Sequence, residues 1–170
     1  MGLYLSLPVE LKIMTREEIF MNEAIALSQN GVRKNEGGPF GCIVVKGETI
    51  VGRGNNKVTS SNDPTAHAEI VAIRDACKNL NTFQLDGCEI YTSCEPCPMC
   101  LGAIYWARPK MVYFANSRQD AANIGFDDSM IYEELGIDLD KRKIPIINLC
   151  REDALKIFVE WQNKEDKIKY

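Results

Sequence analysis

Four side chains in this sequence make a set that zinc chemistry explains together. His67, the sole histidine, stands in Thr65-Ala66-His67-Ala68-Glu69, two residues before a carboxylate. Cys97 and Cys100 follow in Pro96-Cys97-Pro98-Met99-Cys100. Thiolates and neutral imidazole are preferred zinc ligands, and three of them leave a fourth tetrahedral position for water. Zinc lowers the pKa of such a water to near neutrality, and Glu69 is the carboxylate placed to move its proton. The spacing therefore predicts one Zn2+ per chain on His67, Cys97 and Cys100, with Glu69 as catalytic acid–base.

Each part alone has a plainer reading. A Cys-x-x-Cys pair also fits a redox pair, half of a structural zinc site, or two buried thiols. A structural site would need a fourth protein ligand, and Cys94 is the obvious candidate. Pro96 and Pro98 favour a helix start, which puts Cys97 and Cys100 one turn apart on one face and leaves Cys94 on the preceding strand. Glu69, which zinc binding does not require, separates an enzyme from a zinc-binding scaffold module.

The elements that hold these residues can be placed from pattern. Thr15 with Glu18 is a capping box, and Phe20, Ala24 and Leu27 then recur at helical spacing, so a helix is expected to run to about Asn30-Gly31. Cys42–Val45 reads as a strand that turns through Lys46-Gly47-Glu48 into Thr49–Val51. The polar stretch 55–64 is expected to be a loop. His67 opens a helix carrying Ile70, Ile73 and Cys77; Cys88–Thr92 is a strand; Cys97–Arg108 is a helix ended by Pro109; Met111–Phe114 is a further strand. A last amphipathic helix carries Leu155, Phe158, Val159 and Trp161. Strand–helix alternation indicates a layered α/β domain. Both metal-binding segments fall at helix N-termini, where the positive helix end favours thiolates.

Composition narrows the function classes. At 170 residues the chain suits one domain, expected over 15–170 after an extension of residues 1–14. Seven cysteines, an odd number, in a chain without a secretory signal point to reduced thiols and a cytoplasmic setting. No apolar run approaches membrane-spanning length. The net charge is −4, and residues 116–170 carry nine Lys or Arg against twelve Asp or Glu. A phosphate backbone finds little there to hold it, so nucleic acid is excluded as a partner. Met1-Gly2-Leu3-Tyr4-Leu5-Ser6 fits the loose myristoylation pattern, which short segments match by accident.

The motifs resemble those of the cytidine deaminase-like zinc superfamily, whose signature is H-x-E…P-C-x-x-C. Gly38-Pro39-Phe40-Gly41, Ser61 through Glu69, Tyr91 through Arg108 and Gly125-Phe126-Asp127-Asp128-Ser129 are similar to the bacterial-type guanine deaminases within it. The resemblance implies a three-layer α/β/α domain around a central mixed five-stranded sheet with helices on both faces. It implies hydrolysis of guanine to xanthine and ammonia, with zinc-activated water attacking C2 while Glu69 carries protons to N3 and the departing amine. It further implies that Asn56 hydrogen-bonds the ring edge, that the Ala68 backbone N–H meets a carbonyl and that Phe40 contacts a face of the base. Asp128 would accept from the amino and N1–H side, and would be a second proton carrier. It implies too a homodimer in which the C-terminal tail, ending on Tyr170, closes over the neighbouring subunit's purine base.

Three relatives of this chemistry compete. A tRNA adenosine deaminase shares the zinc motif but is expected to carry a basic C-terminal helix, whereas Glu152, Asp153, Glu160, Glu165 and Asp166 interrupt this one. A guanosine deaminase differs only in room for a ribose. Cytosine is the weaker candidate, since its smaller ring would not need Asp128 in this role.

Overall fold

The computed structural model describes residues 13–169, so most of the expected N-terminal extension, with its Gly2 motif, and Tyr170 lie outside the described residues. The chain opens with α1 (Arg16–Arg33) and the hairpin β1 (Gly41–Lys46) and β2 (Thr49–Asn55). The helices α2 (Val58–Ser61) and α3 (Ala68–Leu80) follow. Then come β3 (Cys88–Cys94), α4 (Pro98–Ala107) and β4 (Met111–Asn116). The C-terminal third holds α5 (Arg118–Asn123), α6 (Ser129–Leu135), a 3-10 turn at Leu139–Lys141 and α7 (Arg151–Asn163).

The sheet has the order β2-β1-β3-β4, with β3 and β4 parallel and the other pairs antiparallel. It is mixed, as expected, but among the described residues it has four strands rather than five. Strand alternation sends its side chains to two cores. Ile43, Val45 and Tyr91 face α1 through Phe20 and Ala24. Cys42, Val44, Cys88 and Ile90 face Ala68, Ala72 and Ala76 of α3 and Ile104 of α4. The three-layer α/β/α expectation holds.

Two departures from the sequence reading have local causes. The polar stretch 55–64 is not all loop: Val58–Ser61 forms a short helix that ends on Asn62 in the left-handed conformation (φ 51°). The first helix also runs beyond Gly31 to Arg33, because Gly31 lies buried against Asn55 rather than acting as a stop.

Close backbone approach fixes α3 on the sheet. A Cβ on Gly54 would come within 2.3 Å of the Ala68 carbonyl oxygen, and one on Gly52 within 2.5 Å of that of Ala72. Only glycine lets a helix dock this tightly on β2. At the opposite end of the sheet Arg16 ties α1 to β3: its Nη1 lies 2.7 Å from Glu89 Oε2 and 3.1 Å from the Tyr91 hydroxyl oxygen. Among the described residues no helix is long and apolar enough to cross a membrane.

Candidate active site

Helix starts build the site. His67 is the N-cap of α3 and Cys97 that of α4, both with extended backbone, and Pro98 occupies the first turn of α4. Proline is pre-set for that turn and lacks the N–H that would go unpaired there. Cys100 lies one turn into α4 and is buried. Helix periodicity then does what the sequence spacing requires, turning both sulfurs toward His67.

The ligand atoms of His67, Cys97 and Cys100 all lie within 4.8 Å of one another. Nδ1 of His67 stands 3.5 Å from Cys97 Sγ and 3.6 Å from Cys100 Sγ. A tetrahedral metal bound at ordinary Zn–S and Zn–N lengths requires sulfur and nitrogen to be about 3.6 Å apart. The donor set and its edges therefore fit zinc. Cys94 stays outside the cluster, as expected: it ends β3 and its thiol donates to the Ser117 carbonyl at 3.7 Å.

Protons are distributed unevenly over the trio. Cys97 is pulled down to about 4, first by hydrogen bonding from Cys100 and then by His67. Cys100 is pushed up by the same bond and by burial, and His67 is raised by hydrogen bonding to Cys97.

Glu69, on the first turn of α3, is 6% exposed. Burial raises its carboxyl above the usual carboxylate range, which suits a group that must both take and give a proton near neutral pH. Its Oε1 accepts from the Thr92 hydroxyl at 3.2 Å, and its Oε2 lies 3.4 Å from Cys100 Sγ.

A cavity of about 440 Å³ opens onto the cluster and is lined by Phe40, Asn56, His67, Glu69, Cys97 and Asp128, with Phe126, Arg118 and Ile131 also on its wall. Asn56 is buried, and its Oδ1 accepts from the Gly38 and Val58 backbone N–H groups, each at 3.2 Å. What Asn56 has left to offer is its Nδ2 donor. Ala68 is the first residue of α3, where the backbone N–H has no partner within the helix.

Asp127 and Asp128 divide two jobs. Asp127 Oδ1 accepts from the Ser129 backbone N–H at 2.9 Å, capping the start of α6. Asp128 makes no side-chain cap; both acids lie on the cavity wall, and Asp128 is the one whose carboxylate is not committed to the helix start. Burial, then the charge on Cys97, raises its carboxyl. Phe126, part of the segment that carries the resemblance but given no role there, meets Phe40 edge to face with ring centroids 4.9 Å apart. Gly125 (φ 93°) turns the chain just before Phe126.

A profile of the cytidine and deoxycytidylate deaminase zinc-binding region matches residues 14–116, from the first helix cap through β4. The chain belongs to this deaminase family. Among its members, guanine deaminase of Bacillus subtilis is 52% identical over 153 residues, spanning 90% of this chain and 98% of that one. The crystal structure of the Bacillus subtilis enzyme superposes with a TM-score of 0.88. The guanine deaminase of Nitrosomonas europaea is 29% identical, with a TM-score of 0.63 over 94% of this chain and 95% of that one. A tRNA-specific adenosine deaminase from Aquifex aeolicus is 41% identical over 99 residues, 58% of this chain and 65% of its own.

Proposed function

We propose that this chain is a zinc-dependent guanine aminohydrolase that forms xanthine and ammonia. The observation that carries the proposal is the joint placement of the His67–Cys97–Cys100 trio, Glu69 and Asp128 on one cavity. Zinc held by His67, Cys97 and Cys100 supplies a Lewis acid that makes water a nucleophile at neutral pH.

The remaining roles belong to the chain's own groups. Guanine offers donors at N1 and its amino group and acceptors at O6, N7 and N3. Asp128, an acceptor freed from capping by Asp127, pairs with the donor side. The Asn56 Nδ2 donor and the Ala68 backbone N–H pair with acceptors on the ring. Phe40, braced by Phe126, packs on the base. Glu69 takes the proton that the attacking water sheds, passes it to N3 and helps deliver a proton to the departing amine. Asp128, beside the same amine, is the second proton carrier. Holding the base in this pose is worth several kcal/mol of the barrier, about 7 or more for well-oriented groups.

The working unit is a homodimer that exchanges its C-terminal arm. Ile144, Ile147, Leu149 and Phe158 are each more than 70% exposed, and α7 buries no side chain in its own subunit. Isolated chains rarely leave so much contiguous apolar surface to water. Among the described residues β4 is an unpaired edge strand, and it exposes Met111 and Phe114. An arm from a second copy covers both surfaces at once, and exchange of an identical element is a low-cost route to dimers. Seven free cysteines suit a reducing, cytoplasmic compartment.

The test is ammonia release from zinc-loaded protein offered guanine, guanosine, cytosine, adenine and an adenosine-bearing tRNA anticodon stem in parallel. Release from guanine alone supports the proposal. Release from guanosine but not guanine would reassign the substrate to the nucleoside, and release from the RNA alone would reassign the chain to tRNA editing.

A further inference from the structure

The hydrogen bond beneath the general acid–base points to a residue that the motif does not contain. Thr92 is the fifth residue of β3 and is 1% exposed. Strand alternation places Cys88, Ile90 and Thr92 on the sheet face that meets α3 and α4. Thr92 pairs in register with Cys42 of β1, itself fully buried. A hydroxyl so deep in an apolar layer is costly unless it has a partner. Its partner is the Glu69 Oε1, 3.2 Å away.

We infer that Thr92 is a positioning residue for Glu69, which rests on the proton-carrying role of Glu69 proposed above. The hydroxyl fixes Oε1 on the floor of the site. The rotation about the last side-chain bond of Glu69 is then set, and Oε2 is held on the side of the metal ligands, 3.4 Å from Cys100 Sγ. A terminal sp³–sp² torsion of this kind has a broad, soft potential, so an unheld carboxylate would sample orientations that waste proton transfer. Thr92 does not line the cavity, which separates it from the catalytic residues.

The test compares Thr92→Val, which keeps shape and loses the hydroxyl, with Thr92→Ser, which keeps the hydroxyl. Four readouts are taken on full-length, zinc-loaded protein: kcat and KM for guanine, zinc per chain and Tm. Thr92→Val is expected to lower kcat about ten- to a hundred-fold, the scale of misplacing a catalytic group, with KM within about twofold. One zinc per chain is retained. Thr92→Ser is expected to recover kcat to within about threefold of the unchanged protein. In a Glu69→Gln background, Thr92→Val should have no further effect on residual turnover. If the valine variant keeps full kcat, or the serine variant is as impaired as the valine one, the inference is wrong. If Thr92→Val fails to fold, Thr92→Ala takes its place, and failure of both would assign the hydroxyl to the fold instead. Absence of guanine turnover in the unchanged protein would sink the proposed function itself, a result distinct from all of these.

Discussion

His67 Nδ1 and Cys97 Sγ, thirty residues apart in the chain, stand 3.5 Å apart at the N-termini of α3 and α4. A metal held there would tie together the starts of two helices whose bodies already share one apolar core, so its removal should be felt in stability as well as activity. Zinc present at a thousandfold its Kd contributes about 4 kcal/mol to the folded state by mass action. Chelation is expected to abolish turnover and lower Tm, and added zinc to restore both. A Tm indifferent to chelator would mean that the trio holds no structural share of the metal.

Glu69→Gln keeps the shape of the side chain and removes its ability to carry a proton. The expected loss in kcat for guanine is about 10²- to 10⁴-fold, with zinc content and Tm unchanged. Steady-state kinetics beside metal analysis checks both halves. Retained activity would remove Glu69 from the mechanism.

Asp127 and Asp128, adjacent in sequence, should respond oppositely to amide substitution. Asp128→Asn turns one acceptor into a donor against the amino side of guanine, and kcat/KM is expected to fall about ten- to a hundred-fold with little change in Tm. Asp127→Asn leaves an oxygen able to cap the Ser129 N–H, so kcat/KM should remain within about threefold. Kinetics on both variants decides, and the reverse ranking would exchange their roles.

The Arg16–Glu89 contact predicts a pH dependence of stability. The Arg16 hydrogen bond is the main cause that holds the Glu89 carboxyl below its ordinary value. A carboxyl depressed in the folded state contributes stability above its unfolded pKa and loses it as pH falls through the folded pKa. Glu89→Gln should therefore lower Tm at pH 7, and the gap should close below about pH 4, where the unfolded carboxyl is itself protonated. Thermal melts across pH 3 to 7 test the sign. A gap that widens in acid would contradict it.

Gly54 tests the docking of α3. With only 2.3 Å between an added Cβ and the Ala68 carbonyl oxygen, Gly54→Ala must push the start of α3 off the sheet. The expected cost is about 1–3 kcal/mol, as for overpacking, and kcat should fall too because His67 and Glu69 ride on that turn. Denaturant melts and kinetics on the same preparation measure both.

Much of this site was legible because its chemistry is local in sequence. His67, Glu69, Cys97 and Cys100 announce themselves by spacing, and the strand end at Cys94 separates that thiol from the ligands. The four-stranded sheet was not legible. The resemblance implied a fifth strand, but no periodicity in the C-terminal third marked one, and its apolar side chains face water in the single chain. Asn56 was named for its ring-edge bond, yet the grip of its Oδ1 on Gly38 and Val58, which decides that it acts as a donor, depends on a loop path no pattern encodes. Thr92 was missed for a related reason. The β3 alternation does show a polar residue at a core-facing position, but its partner comes from α3, twenty-three residues earlier in the chain.

The measurement closest to the central claim is product analysis of guanine incubated with the zinc-replete chain. Xanthine and ammonia are expected in equal amounts, lost on chelation and regained with zinc. Unchanged guanine, with one zinc bound per chain and the fold intact, would contradict it.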